Sequence, residues 1–273
     1  MEDIMGYFAA GLIGIALGLI GGGGSILTVP VLVYLFHIEP TLATAYSLFI
    51  VGTTSLVGGI KSAMKNMVDF RTAIVFAIPS FVAVYLTRRF VVPVLPDSII
   101  TIGSFVVTKD IAIMIFFGFI MLVAAISMIR KRDGEVPEEQ AVQYSYSMIL
   151  VEGTVVGALT GIVGAGGGFL ILPALVLFAK LPMKKAVGTS LIIIAAKSLI
   201  GFLGDIGSGQ LIDFRFILIV SSIAIVGIFL GTYTSKFIES EKLKSGFGWF
   251  VLVMGVYVIL NEVLLRSGDT IHQ

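Results

Sequence analysis

Apolar residues run in long blocks along the 273-residue chain, separated by short polar breaks. The blocks are Ile4 to Phe36, Leu42 to Ile60, Thr72 to Val94, Ile111 to Ile129, Met148 to Phe178, Ala186 to Leu203, Phe216 to Tyr233 and Phe247 to Leu265. A bilayer-spanning helix needs roughly 20 predominantly apolar residues. The pattern therefore predicts an all-α polytopic membrane protein. The longest polar break, Arg130 to Tyr146, carries Arg130-Lys131-Arg132 and Glu138-Glu139 and reads as a solvated linker. Pro96 to Lys109 is less polar and is expected at the membrane interface.

The block pattern repeats. Gly18-Leu-Ile-Gly-Gly-Gly-Gly-Ser-Ile-Leu-Thr-Val-Pro30 aligns without a gap on Gly161-Ile-Val-Gly-Ala-Gly-Gly-Gly-Phe-Leu-Ile-Leu-Pro173, an offset of 143 residues. Ala43, Ser47, Leu48, Ser55 and Gly58 continue the match opposite Ala186, Ser190, Leu191, Ser198 and Gly201. One residue of slip then aligns Asp69-Phe-Arg71 with Asp213-Phe-Arg215. Prolines, serines and a charged triplet in one order are hard to match by accident. The expected organisation is a first membrane repeat over 1–130, a linker over 131–146 and a second repeat over 147–273. Duplications of this kind are a common ground plan of secondary transporters.

The first block of each repeat is too long for one crossing. A helix over 4–36 would extend about 50 Å at 1.5 Å per residue, against a core of about 30 Å. Glycine runs interrupt both copies, at Gly21 to Gly24 and at Gly164 to Gly168. Consecutive glycines weaken a helix and permit positive φ, so each first segment is expected to be broken or re-entrant. Irregular backbone at membrane depth must face protein or a water-filled cavity. The N–H groups that open the second piece lack helical partners and favour an anion. Close packing of neighbouring helices through small residues is the alternative use of the same glycines.

Charge separates two topologies. If each glycine block crosses once, the loop lysines and arginines divide eight against nine, and no orientation follows. If each block turns back, twelve of the loop charges share one face and five, Arg88, Arg89, Lys109, Arg215 and Arg266, the other, a usable positive-inside bias. The second arrangement makes the repeats inverted.

Composition narrows the function. Charged residues are 13% and mean hydropathy is +1.07, so a water-soluble enzyme is excluded. The net charge of +1 offers no nucleic-acid surface. There is no cysteine, and the two histidines lie outside the blocks. No His-Glu-x-x-His motif and no phosphate-binding loop occurs. The chain is expected not to be an enzyme, to need no cofactor or metal, and to draw energy from an ion or substrate gradient.

Lys197 falls near the centre of its block, where a lysine costs about 2.5–3.5 kcal/mol on insertion scales. A cost of that size calls for a partner or a ligand. Its counterpart under the offset is Thr54. The expected anion site comprises Gly22, Gly23, Gly24 and Ser25 from the first break and Gly166, Gly167 and Gly168 from the second. Ser47, Ser190, Thr54 and Lys197 complete it. Asp69 and Asp213 each precede an apolar run and read as helix N-caps.

The paired glycine blocks with their trailing prolines resemble the duplicated signature of the sulfite exporter TauE/SafE family. Ala186-Val-Gly-Thr-Ser-Leu191 and the two Asp-Phe-Arg triplets resemble it too. The likeness covers nearly the whole chain. It implies a transporter in a prokaryotic plasma membrane that exports small sulfur-containing anions such as sulfite or organosulfonates. Alternating access around a midplane site would need a coupling ion, proton or sodium, or the substrate gradient itself. The partners expected are the lipid bilayer and a small anionic substrate. A passive anion channel, and a carrier of another small organic anion, remain compatible with the same residues.

Overall fold

The computed structural model describes residues 2–96, 98–102, 105–129, 146–163, 168, 171, 172, 175, 181–206, 212–235, 237 and 240–265. Gly166, Gly167 and the expected linker up to residue 145 lie outside the described residues, and Tyr146 already begins a helix.

Nine α-helices of seven or more residues are described: α1 Glu2–Ile20, α2 Thr28–Tyr34, α3 Pro40–Ala63, α4 Phe70–Leu86, α5 Lys109–Ile129, α6 Tyr146–Val163, α7 Met183–Ile206, α8 Phe214–Thr234 and α9 Ser240–Leu260. A π-helical turn, Thr87–Val91, carries α4 on to Val94, and a second, Asn261–Leu265, follows α9. Among the described residues, four helices are long and apolar enough to cross a membrane: Pro40–Ala63, Phe70–Val94, Lys184–Ile206 and Phe214–Thr234. Local chemistry sets their starts. Pro40 opens α3 in the first turn, where its missing N–H costs nothing. Asp69 caps α4 by accepting from Thr72 N, and Asp213 caps α8 by accepting from Phe216 N, as expected of N-caps.

The segment expected at the interface departs from an all-α chain. Ser98–Ile102 (β1) pairs antiparallel with Phe105–Thr108 (β2). Pro96 precedes the pair, and isoleucine, valine and threonine dominate it. These β-branched residues suit a pleated strand better than a helix.

The first apolar block is broken, not one rod. Gly21 has φ +68°, a left-handed conformation that glycine adopts without steric cost. A 3₁₀ stretch, Gly21–Leu27, follows. Beyond it the chain runs back along α1. Gly24 lies against the backbone of Ala16 and Leu17, Leu27 and Val31 join a cluster with Ile13 and Leu17, and Phe36 closes on Gly6 and Tyr7. The start of α1 therefore stands beside the end of α2.

The main helix contacts come in equivalent pairs. α1 packs on α8 as α6 packs on α4, α3 meets α8 as α7 meets α4, and α3 pairs with α7 and α5 with α9. The equivalence reaches single residues. A Cβ on Gly14 would collide with Ala224 O of α8, and one on Gly157 would stand 2.5 Å from Ser80 O of α4. Gly157 is Gly14 plus 143, and Ala224 is Ser80 plus 144. Gly18 meets Gly231, and Gly161 meets Thr87, by the same shift. Small residues let these backbones approach. α3 and α7 run antiparallel: Gly52 contacts Leu199, and Gly59 contacts Ile192.

Candidate functional site

The two glycine runs meet. A Cβ on Gly22 would lie 2.5 Å from the backbone of Gly168, and Gly168 in turn closes on Gly22 and on Ile194 of α7. Gly21 faces Val187 and the Ser190 hydroxyl of α7. The break of the first block, the described part of the second and the middle of α7 thus share one locus. At the Gly22–Gly168 contact the bare backbones touch each other, so in this conformation these two glycines serve close packing. Gly24 is likewise packed against α1.

The hydroxyls expected at the site mostly bond their own chain. Ser25 Oγ, fully buried, donates to Gly22 O at 2.8 Å and so holds the turn it follows. Ser190 Oγ donates to Val187 O at 2.8 Å, and Ser47 Oγ to Thr44 O at 3.0 Å. The two serines are equivalent and make the same i−3 bond, a habit of helical serine and threonine. Thr54 is buried, and its Oγ1 has no hydrogen-bond partner among the described residues. The same holds for the equivalent pair Ser55 and Ser198.

Lys197 is 0% exposed. Its ammonium donates to Thr160 Oγ1 of α6 at 3.0 Å. That hydroxyl gives its own proton to Val156 O at 2.6 Å, so a lone pair receives the lysine. Thr160 lies on α6. Among the described residues no carboxylate pairs with Lys197 and no second acceptor reaches it. A lysine ammonium has three donors.

Register fixes where Lys197 stands. Along antiparallel α3 and α7, residue 52 faces 199 and residue 59 faces 192. Thr54 is therefore level with Lys197. These two residues are also equivalent under the 143-residue offset. Positions both level and equivalent mark the point about which the two helices exchange. The Lys197 side chain turns towards α6.

Sequence reasoning missed a second buried cation. Arg88 was expected among loop charges, yet it is 0% exposed. Its Nε lies 3.2 Å from Asp205 Oδ2 at the end of α7, and its Nη2 donates to Thr44 Oγ1 of α3 at 2.9 Å. Arg88 lies in the π-turn Thr87–Val91. The signal was available: Arg88 lies inside the apolar block 72–94, as Lys197 lies inside its own. Glu262, in the other π-turn, is also buried and accepts from Tyr34 Oη at 3.3 Å.

The family model for the sulfite exporter TauE/SafE matches residues 7–258. A probable membrane transporter protein of Xylella fastidiosa (strain 9a5c) is 30% identical over 257 residues, covering 92% of each chain. The probable membrane transporter protein YunE of Bacillus subtilis is 27% identical over 278 residues, covering 92% of this chain and 91% of its own. Another from the same organism, YdhB, is 26% identical over 242 residues, covering 86% and 91%. No solved structure matches. The apolar helices, the paired glycine runs and a family match across both repeats lead to one conclusion: the chain belongs to the sulfite exporter TauE/SafE family of membrane transporters.

Proposed function

We propose that the protein is a secondary exporter of small sulfur-containing oxyanions, sulfite or organosulfonates, working by alternating access around a site near Lys197. The observation that carries the reading is Lys197 itself. It is fully buried, holds one hydroxyl and no carboxylate among the described residues, and stands at the level about which α3 and α7 exchange. A lysine kept at that cost has donors to spare for an anion. The substrate class comes from the family description and the proteins similar to this one are named as transporters.

The packing supports inverted repeats. Two equivalent helices that run antiparallel are related by an axis perpendicular to both. If both cross the membrane, that axis lies in its plane, and the halves have opposite orientation. Each half then needs an odd number of crossings. A first block that turns back at its glycines, followed by three helices, satisfies this; a block that crosses once does not. The return of α2 along α1 supports the first arrangement and a re-entrant reading of the segment. Under it the glycine contact is the closed seam between halves, and rocking would part Gly22 from Gly168 and admit the anion to the amides of residues 22–25 and 166–168. Ser47, Thr54 and Ser190 would supply hydroxyl donors after rotating from their present bonds. The exporter would work in a prokaryotic plasma membrane, driven by proton, sodium or the substrate gradient.

The test is a ligand screen on detergent-purified protein, read as thermal stabilisation, with sulfite, taurine-like sulfonates, sulfate and carboxylates. Saturable stabilisation by sulfite or sulfonates, with counterflow in proteoliposomes, is expected. Stabilisation by carboxylates alone would overturn the substrate class, and non-saturating conductance would overturn the carrier.

A further inference from the structure

The two ends of the α3–α7 pair are not alike. Eight residues beyond Lys197 on α7 is Asp205, and eight residues beyond Thr54 on α3 is the equivalent Ser62. At 1.5 Å per residue each lies about 12 Å from the central level, in opposite directions. At the Asp205 end, Arg88 of α4 reaches Asp205 on α7 and Thr44 on α3, so one guanidinium ties helices of both repeats. At the other end the equivalents of Arg88 and Asp205 are Thr232 and Ser62. Among the described residues their hydroxyls bond their own helices, Thr232 to Ile228 O at 2.6 Å and Ser62 to Gly58 O at 3.0 Å.

The guanidinium is under-used where it sits. Nη1 has no hydrogen-bond partner among the described residues, and Nε meets Asp205 Oδ2 at 3.2 Å without hydrogen-bond geometry. A buried ion pair of such geometry recovers poorly the hydration both ions lose, and apolar residues of like volume often serve stability as well. Arginine's planar fork matches a two-oxygen face, whether of a carboxylate or of a sulfur oxyanion. The π-turn that carries Arg88 is a local distortion of a kind frequent at functional sites.

We propose that Arg88 is a second oxyanion-binding station, about 12 Å from Lys197 towards one end of the translocation path, and that the Asp205 carboxylate occupies it in the conformation described. The inference rests on the transporter reading above. When the halves part at this end, the Arg88–Asp205 contact opens, and Thr44, on the same repeat as Arg88, stays as the competing acceptor on Nη2. A substrate oxyanion then takes the place of the carboxylate on the guanidinium. As the anion leaves, Asp205 returns and closes the end. No covalent step is involved; one oxyanion exchanges for another on the same donors.

The experiment measures sulfite and methanesulfonate affinity by thermal stabilisation, and counterflow in proteoliposomes, for wild type, Asp205→Asn, Thr44→Val and Arg88→Gln/Asp205→Asn. Asp205→Asn removes the internal competitor and is expected to tighten oxyanion binding about tenfold while slowing counterflow. Thr44→Val, which carries no charge change and keeps the helix, is expected to tighten binding two- to threefold. The double variant is expected to lose the gain. Unchanged affinity in Asp205→Asn, or an equal gain in the double variant, overturns the proposal. Should Asp205→Asn fail to fold, Thr44→Val decides: affinity equal to wild type overturns it. A wild type that binds no oxyanion sinks the transporter reading instead, so the two failures are told apart.

Discussion

α3 and α7 are the same helix written twice, and they differ where it counts. Both are 24 residues long, both are mostly buried, and they face each other antiparallel through Gly52, Gly59 and their partners. At the shared central level one presents Thr54 and the other Lys197. Near the ends, α7 carries Asp205 and α3 carries Ser62. Where backbones touch, the small residues obey the repeat; the buried charges do not. The glycines that recur serve packing, which both halves need equally. The buried cations Lys197 and Arg88 have no charged counterpart in the other half, where Thr54 and Thr232 stand.

The equality of the scaffolds is the largest effect to test. Gly14→Leu drives a side chain into Ala224 O, and Gly157→Leu drives one at Ser80 O. Each is expected to destabilise by at least about 3 kcal/mol, the upper end for overpacking. The two should lose folded protein in detergent to a similar degree. A silent Leu at one position would show that the halves do not share their packing.

The charge asymmetry is the next lever. Lys197→Ala is expected to lower counterflow about tenfold or more, since a charge-assisted hydrogen bond is worth about 1.5–3 kcal/mol, while the melting temperature holds. Moving the cation by Thr54→Lys/Lys197→Thr should not restore transport. The residue equivalent to Thr160 is Leu17, which cannot accept from a lysine. Adding Leu17→Thr supplies the acceptor, and partial recovery is expected. Full transport by Lys197→Ala would remove the lysine from the site.

How much of this was legible in the chain follows from what kind of signal each feature leaves. The caps at Asp69 and Asp213 and the break at Gly21 are local, and residues alone reveal them. Lys197 stood out because a charge interrupts a block at its centre. Arg88 was misread because it lies near the end of its block beside Arg89, where an interfacial place is the ordinary one; in the structure it is buried, in a π-turn. Its partner Asp205 is 117 positions away, a pairing no spacing announces. The β1–β2 hairpin was missed because a short β-branched run in an apolar chain has no period to distinguish it. At the glycine runs the sequence suggested bare amides open to a ligand, whereas Gly22 and Gly168 are in contact with each other, an arrangement that depends on how two distant segments dock.

A smaller effect concerns Thr160. Thr160→Val removes the acceptor of Lys197 and keeps the side-chain shape. The ammonium then lacks its recorded partner, and a loss of about 1–3 kcal/mol is expected for a buried group left unsatisfied. Saturating substrate anion should recover part of that loss if it supplies the missing acceptor. Thermal unfolding with and without sulfite reads this directly; equal loss in both conditions would place the substrate elsewhere.

The caps give the finest comparison, because the two halves solve one problem with different residues. Asp69 accepts from Thr72 N at 2.9 Å, and Asp213 from Phe216 N at 3.0 Å. Each Asp N–H is in turn bonded to the other repeat: Asp69 N to Thr189 Oγ1 at 2.9 Å, and Asp213 N to Tyr46 Oη at 2.8 Å. Thr189 is Tyr46 plus 143. The runs Ala43-Thr-Ala-Tyr-Ser-Leu48 and Ala186-Val-Gly-Thr-Ser-Leu191 differ in residues yet supply the same bond across the repeats. Asp→Ala at either cap is expected to cost about 0.5–2 kcal/mol. Asp69 is part-buried and Asp213 exposed, so water replaces the lost acceptor more readily at 213, and Asp69→Ala should be the costlier. Melting temperatures in detergent rank the pair, and counterflow per folded molecule should stay at the wild-type level in both. A transport defect in Asp213→Ala at unchanged stability would mean that this end of α8 does more than begin a helix.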